Sequence, residues 1–337
     1  MKVIITGATG CLGRNLVENL HGEGYSVVAT GRSPDVGAEI QVRGVEFRAA
    51  DIRDVDQLAA VFEPADCVVH CAGKSGGWGA YAEFHEANVL GTRNVVHVCQ
   101  RHGIEKILFV STPSVYFNGK DRLGVRESDP LPGRPATHYA RSKLLAEAEL
   151  LAFQRSGGKV INFRPRAVVG PHDTTFVPRL LRMAQKRRLP LVNGGRALTD
   201  ITHVDNFVDA VKLALAAPES AWNATYNVSN GEPIRVRDWF ARMLEILGRP
   251  FRPVSIPEPV ARVVAAATEL AGNLPFGPRQ PLITRFSVGY MARSMTLSID
   301  RAREQLGYTP RLGNEEGFER YAAWLRLHAP RSRAQVR

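Results

Sequence analysis

The chain has 337 residues, enough for one elaborated domain or two closely packed ones. Hydrophobic residues make up 44% of it and charged residues 23%, which is typical of a soluble globular protein and excludes a disordered or fibrous chain. The net charge of +11 comes mostly from scattered arginines without an aromatic-interleaved basic stripe. We therefore expect attraction for an anionic cofactor or substrate rather than for nucleic acid.

The apolar runs are too short to cross a membrane, since a span needs about 20 consecutive apolar residues. The nearest candidate, PVARVVAAATELAG at 259–272, is interrupted by Arg262 and Glu269. We interpret it as a packed amphipathic helix, with contact between 258–272 and a membrane surface left open.

The cysteines indicate a reducing compartment. All four lie in the first hundred residues, in predicted strands, a turn and a helix rather than in a disulfide-rich module. Cys67 and His70 would point to opposite faces of a strand, so we expect buried thiols and no metal site. Met1 and Lys2 lead straight into an apolar run without a signal-peptide pattern, and we expect a cytoplasmic protein.

The first half of the chain alternates short β-rich runs with helical patterns. The predicted strands are KVIITG (2–7), SVVATG (26–31), VEFRAAD (45–51), CVVHCAG (67–73), KILFVST (106–112) and KVINFRP (159–165). The predicted helices between them lie near 12–22, 54–62, 82–103 and 138–156. Because the strands are apolar nearly throughout, this alternation predicts an α/β fold: a Rossmann doubly wound parallel sheet with helices on both faces.

Beyond residue 165, proline and glycine residues become more frequent. Further helices are predicted near 176–187, 236–248, 258–271, 299–306 and 314–328. The stretch 202–217 is predicted as a strand or turn that enters a helix, and ATYNVSNG (224–231) as one more strand. We predict a Rossmann domain over 1–165, to which 198–228 returns. Residues 166–197 and 229–330 are predicted to form a smaller C-terminal substrate lobe over the carboxyl edge of the sheet, followed by a basic tail at 331–337.

The stretch TGATGCLG (6–13) places three glycines directly between the first strand and the first helix. Gly7 permits a tight turn, Gly10 lets the backbone approach a pyrophosphate, and Gly13 lets helix and strand pack closely. The free N–H groups at the start of the helix then face the phosphates. This arrangement predicts a dinucleotide site.

The second strand ends in VVATGRS (27–33), where a site for NAD normally has an Asp or Glu. An acid there would repel a 2′-phosphate, and Gly31 leaves room for one. Arg32 can pair with the phosphate and Ser33 can add a hydroxyl donor. We therefore expect NADP(H) as the cofactor. The alternative is NAD(H) with Arg32 merely solvated.

The stretch HYARSK (138–143) sets Tyr139 and Lys143 on one face of a predicted helix. Tyr139 is a candidate general acid for ketone reduction, or base for alcohol oxidation, and Lys143 a partner that lowers its pKa and contacts the nicotinamide ribose. At the end of the preceding strand, FVSTPSVYF (109–117), Thr112 is the candidate to orient the carbonyl. Ser114 is its alternative, and we expect Ser111 to satisfy backbone groups.

Seven stretches follow one another in the order and spacing of extended short-chain dehydrogenases/reductases: TGATGCLG, HCAG, STPSVY, YARSK, RPRAVVGP, HVDN and SIDRAREQLGYTPR. The chain resembles this family over nearly its whole length. The resemblance implies Tyr139 as acid/base, Lys143 as its ribose-binding partner, Thr112 as the third member, and a possible homodimer through the helices 82–103 and 138–156. The implied cofactor contacts are Gly7, Thr9, Gly10, Cys11, Leu12, Gly13, Arg32, Ser33, Asp51, Ile52, Ala72, Gly73, Lys74, Tyr139, Lys143, Pro165 and Val168.

Two branches of this family compete. Sugar-nucleotide epimerases and dehydratases usually carry an Asn where this chain has Ala167, and an Arg-Asp pair where it has Thr199 and Asp200. The chain looks closer to 3β-hydroxysteroid dehydrogenases and 2-alkyl-3-oxoalkanoate reductases. This branch implies reduction of a β-keto acid or of a hydrophobic alicyclic ketone, with apolar residues of 251–296 lining an alkyl pocket. The alternatives are an epimerase or dehydratase that retains NAD, and a dinucleotide-sensing binding protein.

Substrate contacts are less well specified by the sequence. The candidates are Trp78, Ser114, His138 and Arg166, each of which also suits a packing or surface role. If the substrate carries a carboxylate, the candidate cations are Arg164, Arg166, Arg285 and Arg293.

Overall fold

The computed structural model describes residues 1–184, 188–249, 251–272, 281 and 283–328. The strands are β1 (Lys2–Thr6), β2 (Ser26–Gly31), β3 (Glu46–Ala49), β4 (Cys67–His70), β5 (Lys106–Val110), β6 (Arg122–Val125), β7 (Lys159–Pro165), β8 (Val168–Val169), β9 (Arg188–Val192), β10 (Leu198–Thr199), β11 (Thr202–His203), β12 (Ala224–Val228), β13 (Ile234–Arg235), β14 (Arg252–Ile256) and β15 (Met295–Leu297).

The α-helices are α1 (Cys11–Gly22), α2 (Pro34–Val42), α3 (Val55–Val61), α4 (Tyr81–Phe84), α5 (Gly91–Arg101), α6 (His138–Arg155), α7 (Phe176–Ala184), α8 (Val204–Leu215), α9 (Val236–Ile246), α10 (Glu258–Gly272), α11 (Arg285–Ala292), α12 (Asp300–Leu306) and α13 (Asn314–His328). No helix among the described residues is long and apolar enough to cross a membrane.

A seven-stranded parallel sheet forms the centre of the molecule, in the order β12-β7-β5-β4-β1-β2-β3. The predicted Rossmann sheet is confirmed. Strand order reverses between β1 and β4, and in doubly wound sheets ligands bind at the carboxyl ends of the strands beside this reversal. The glycine turn follows β1 at this point.

Two hydrophobic cores lie on the two faces of the sheet. Successive residues of a strand point to opposite faces. Val3 and Ile5 therefore pack against α1 and α8, while Ile4 packs in the core formed with α3, α5 and α6. Burial on both faces explains the nearly continuous apolar composition of the strands.

Several short strands were not predicted from the sequence. A four-stranded sheet has the order β13-β10-β15-β6, and two-stranded sheets pair β8 with β11 and β9 with β14. A separate core joins α7, β9, α9 and α13. Runs of two to five residues carry too little periodicity to be recognised without their pairing partners.

The helix predicted over 82–103 is present, but it is not α-helical throughout. A π-helical segment, His85–Leu90, separates α4 from α5. Within it Asn88 donates to the Lys74 carbonyl (2.9 Å) and the Ser142 hydroxyl (2.8 Å), and accepts from the Lys74 N–H (2.7 Å). π-Bulges are frequent at functional sites, and this one ties the loop after β4 to α6.

Candidate active site

The glycine turn has the shape of a pyrophosphate cradle. Gly7 has a φ of +70°, and a Cβ there would lie 2.6 Å from the Ala72 nitrogen. A Cβ on Gly13 would lie 2.2 Å from the Gly7 oxygen, whereas one on Gly10 would meet nothing closer than 3.4 Å. Gly10 also caps α1 without a side-chain hydrogen bond. Gly7 and Gly13 are thus required by packing, and Gly10 leaves open space at a helix N-terminus that suits a phosphate.

The other residues of the turn have different roles. Leu12 packs against the sheet core and the Cys11 thiol donates to the Pro171 carbonyl at 3.5 Å. Thr9 lies against Gly31, where a Cβ would be 2.8 Å from the Thr9 hydroxyl oxygen. Gly31 was expected to leave room for a 2′-phosphate. The structure gives another reason for this glycine, the close approach of Thr9.

Basic side chains surround Asp51 at the expected adenosine end. Arg53 forms a 2.6 Å ion pair with Asp51, and Arg32 is 67% exposed with its Nη1 4.0 Å from the same carboxylate. The hydrogen bonds from Arg53 lower the pKa of Asp51. Ser33 caps α2 by accepting from the Val36 N–H. The sequence reasoning missed Arg53, which makes a shorter ion pair with Asp51 than Arg32 does.

Ile52 and the loop after β4 line the turn from the other side. The Ile52 side chain is buried, and a Cβ on Gly91 would lie 2.5 Å from it. The Ala72 N–H donates to the Thr6 hydroxyl at 3.4 Å. A Cβ on Gly73 would lie 2.7 Å from the Asn88 amide oxygen. This loop, which includes Lys74, is held in place by neighbours from distant parts of the chain.

His70 joins the two central strands to the helix that follows the π-segment. The Thr92 hydroxyl donates to the Asn88 carbonyl at 2.6 Å, so its oxygen accepts from Nε2 of His70 at 3.0 Å. Nδ1 of His70 then accepts from the Thr6 hydroxyl at 2.7 Å. Burial lowers the pKa of His70 to about 3 and keeps the ring neutral. Both ring nitrogens of His70 are therefore occupied by this chain of hydrogen bonds.

Tyr139 and Lys143 lie one turn apart on α6 and close to Thr112. Burial raises the pKa of the Tyr139 phenol to about 12, against the lowering effect of the neighbouring Thr112 hydroxyl. Burial lowers the pKa of Lys143 to about 7. Thr112 also donates to the Ser114 hydroxyl at 3.1 Å. The arrangement can hold a protonated phenol beside a carbonyl oxygen.

Glu147, which the sequence reasoning missed, connects the elements that carry these residues. One turn beyond Lys143, it pairs with Arg164 of β7 at 2.5 Å and accepts from the Ser111 hydroxyl at 2.5 Å. The expectation that Ser111 satisfies backbone groups was wrong for its hydroxyl. Glu147 therefore ties α6 to the carboxyl ends of β5 and β7.

An aromatic wall faces these groups from the C-terminal part of the chain. Tyr290 and Phe286 of α11 lie 6.2 Å and 5.7 Å from the ring of Phe117, measured between ring centroids. The proximity of Tyr290 further raises the pKa of Tyr139. Phe286 also lies against the loop after β4, since a Cβ on Gly77 would be 2.9 Å from its ring.

The remaining candidates are placed as follows. Trp78 lies against the end of α10, 3.2 Å from where a Cβ on Gly272 would be. His138 is exposed, and its ring lies 5.5 Å from that of Tyr81. Pro165 ends β7 and Val168 begins β8, so the chain between them crosses the carboxyl edge of the sheet. Arg166 is fully buried on this crossing.

Comparison with known proteins places the chain in a family. The model of the NAD dependent epimerase/dehydratase family matches residues 3–229. The 2-alkyl-3-oxoalkanoate reductase of Stenotrophomonas maltophilia is 34% identical, over 96% of this chain and 99% of that protein. The human decarboxylating sterol-4-alpha-carboxylate 3-dehydrogenase is 28% identical, over 95% of this chain and 87% of that protein.

Among solved structures, the UDP-glucose 4-epimerase of Thermotoga maritima with UDP-glucose matches 97% of this chain and 99% of its own, with a TM-score of 0.78. Its sequence identity of 22% makes this a likeness of fold alone. The glycine turn and the near full-length matches agree on the cofactor class. The chain belongs to the NAD-dependent epimerase/dehydratase family, the extended short-chain dehydrogenases/reductases, and is a nicotinamide-dependent oxidoreductase.

Proposed function

We propose that the protein uses NADP(H) to reduce a ketone to a secondary alcohol. The observation that carries this proposal is the placement of Tyr139 one helical turn from Lys143 on α6 and beside the Thr112 hydroxyl. A phenol is protonated at neutral pH, and because the forming alkoxide is a far stronger base than a phenolate, Tyr139 can donate that proton as a general acid. The absence of an acid at positions 30 and 31 and the exposed Arg32 support NADP(H) as the cofactor.

The reaction divides between cofactor and protein. When bound, NADPH supplies the hydride. Tyr139 gives its proton to the oxygen of the forming alcohol, and the Thr112 hydroxyl orients that oxygen. Lys143 would hold the nicotinamide ribose of the bound cofactor and, when protonated, would stabilise the phenolate that Tyr139 becomes. Glu147 holds α6, which carries Tyr139 and Lys143, in place against the strand that precedes Thr112.

The substrate class follows from the aromatic wall and from the relatives. Phe117, Phe286 and Tyr290 offer an apolar surface beside Tyr139 that suits an alkyl chain or an alicyclic ring. The related reductase is named for a 2-alkyl-3-oxoalkanoate and the human relative for a sterol carboxylate. Both a β-keto acid and a hydrophobic alicyclic ketone are therefore candidate substrates. Substrate-lining roles for Trp78, Ser114 and His138 belong to the same proposal.

One observation favours the alternative function, a sugar-nucleotide epimerase or dehydratase, and the experiment therefore includes it. Ala167 has a φ of +43°, a left-handed conformation that Asn adopts more readily than Ala. The backbone thus has the shape that suits the Asn of epimerases, although the amide itself is missing. An epimerase would retain NAD(H) through turnover.

The experiment is a screen of NADPH oxidation against β-keto acids, alicyclic ketones and UDP-sugars. We expect ketone-dependent oxidation in wild type and a loss of roughly 100-fold or more in kcat for Tyr139→Phe. The control is Tyr81→Phe, which removes a phenol from the neighbouring helix. Unchanged ketone reduction in Tyr139→Phe would sink the catalytic assignment. Tightly retained NAD(H) with UDP-sugar turnover would favour the epimerase, and NADPH binding without any turnover would favour a sensor.

The organisation around this site is proposed as well. We divide the chain into an NADP(H)-binding domain, 1–165 with 198–228, and a substrate lobe, 166–197 and 229–330. We also propose a cytoplasmic homodimer through the helices of 82–103 and 138–156, supported by the exposed Leu145 and Leu151. Sedimentation of wild type and of the double variant Leu145→Glu/Leu151→Glu tests the dimer. Equal sedimentation would exclude this interface.

A further inference from the structure

Arg166 is a buried cation beside the proposed site. It follows β7 at the carboxyl edge of the sheet and is 0% exposed. Its Nε donates to the Thr199 hydroxyl at 3.2 Å, and its Nη1 has no hydrogen-bond partner among the described residues. A buried guanidinium group without a full set of acceptors is costly, and proteins that keep one usually use it.

The other candidate arginines are already paired with carboxylates. Arg164 pairs with Glu147 at 2.5 Å, Arg285 with Glu269 at 2.6 Å and Arg293 with Glu258 at 2.7 Å. A second anion at any of these would have to displace a protein carboxylate. Arg166 differs from them because its charge is not neutralised by an ion pair within the described part of the chain.

Asp200 is the acidic residue near Arg166, and it forms no ion pair with Arg166 within the described part of the chain. It attracts the guanidinium electrostatically, but its Oδ2 accepts from the Leu297 N–H at 2.5 Å and its Oδ1 has no partner among the described residues. Burial raises the pKa of Asp200 to about 6. Asp200 therefore supports the cation without occupying its free nitrogen.

Tyr290 connects this cation to the acid of the reaction. Its ring lies 4.0 Å from the Arg166 guanidinium, and the same residue is close enough to Tyr139 to influence its proton. A ketone held at Tyr139 therefore has an unneutralised cation one aromatic residue away. In a β-keto acid the carboxylate carbon is two bonds from the ketone carbon. A compound of this class would present its carboxylate to the cation and its alkyl chain to the aromatic wall.

We propose that Arg166 binds the carboxylate of a β-keto acid, with Tyr290 packed beside this anchor, and thereby selects acids over neutral ketones. This inference rests on the ketone reduction proposed above and chooses between its two substrate classes. The names of both relatives specify a substrate with a carboxylate on the carbon next to the reacting one.

The test compares an acid with its own methyl ester. Because β-keto acids lose CO₂ on standing, the probes are a 2-alkyl-3-hydroxyalkanoate and its methyl ester, oxidised with NADP⁺. We expect wild type to prefer the acid, and Arg166→Met to lower kcat/KM for the acid by roughly 30-fold while changing that for the ester less than about 3-fold. Arg166→Lys should recover part of the preference. Arg285→Met, which removes an arginine from α11, is the matched control and should keep the wild-type ratio.

A second measurement uses wild type alone, so that it tests the proposal even if Arg166→Met does not fold. Reduction of the 2-alkyl-3-oxoalkanoate methyl ester should be inhibited competitively by the 3-hydroxy acid, and at least about 10-fold more weakly by the 3-hydroxy ester. Equal inhibition, or equal loss of acid and ester turnover in Arg166→Met, would overturn the proposal and leave Arg166 a structural cation near Asp200. If wild type turns over neither the acid nor the ester, the ketone reduction itself has failed.

Discussion

The Nζ of Lys143 lies 3.9 Å from the centre of the Phe109 ring. The lysine is 5% exposed, and the ring belongs to the core between the sheet and α6. Its burial lowers the pKa of the ammonium group to about 7, against an ordinary value of 10.5. Near neutral pH the unliganded fold therefore holds a lysine that is readily deprotonated.

This arrangement predicts a pH-dependent stability change in Lys143→Met. Between about pH 7 and 10.5 the unfolded chain binds more protons than the folded one, so the unfolding free energy of wild type rises with pH across this window. Lys143→Met removes the dependence. We expect the variant to be more stable by roughly 2–4 kcal/mol at pH 7, with the difference shrinking toward pH 10, and to lose reductase activity. Urea unfolding from pH 6.5 to 10 measures this. Lys120→Met, on an exposed turn, is the control, and a constant offset between wild type and Lys143→Met would contradict the prediction.

The glycine turn predicts opposite phenotypes for two similar substitutions. In Gly13→Ala the new Cβ would lie 2.2 Å from the Gly7 oxygen, and we expect a loss of at least roughly 1–3 kcal/mol of stability. In Gly10→Ala the nearest atom is 3.4 Å away, so stability should fall by less than about 1 kcal/mol while the Kd for NADPH rises about 10-fold or more. Thermal unfolding and NADPH titration separate the two. Gly10→Ala with unchanged affinity would show that the pyrophosphate lies elsewhere.

Arg32 predicts the cofactor preference. Because Arg53 already pairs with Asp51, the exposed Arg32 guanidinium is available to a 2′-phosphate. Arg32→Ala should raise the Kd for NADPH about 10-fold and that for NADH less than about 2-fold. Fluorescence titration of both cofactors is the measurement, with Arg101→Ala at the end of α5 as the control. Equal effects on the two cofactors would remove the case for NADPH.

The backbone conformation of Ala167 predicts that glycine is tolerated at this position. Its φ of +43° is unfavourable for a residue with a Cβ, so Ala167→Gly relieves strain that offsets the extra freedom of the unfolded chain. We expect stability to stay within about 0.5 kcal/mol of wild type or to rise by up to about 1 kcal/mol. Ala210→Gly, inside α8, should instead lose about 1 kcal/mol or more. Similar losses in both variants, measured by thermal unfolding, would show that Ala167 is not strained.

Much of the cofactor half could be predicted from the sequence because its signals are local. The strands of the main sheet were recognised from apolar runs, and the glycine turn from its position between β1 and α1. The spacing of Tyr139 and Lys143 requires only a helix to bring them to one face. The helix predicted over 82–103 is present, but its π-helical segment was not predicted, because the hydrogen bonds of Asn88 to Lys74 and Ser142 are not visible in helical periodicity.

The sequence by itself determined the fold class, the family resemblance and the candidate catalytic residues, since these depend on periodicity and on spacings within one turn or helix. Only the tertiary structure decided which of the candidate arginines are paired with a carboxylate. Arg164, Arg285 and Arg293 are neutralised by glutamates at least sixteen residues away along the chain, and Arg166 is not. Pairing and burial depend on which distant elements meet, and they separate an arginine neutralised by a glutamate from a candidate substrate anchor.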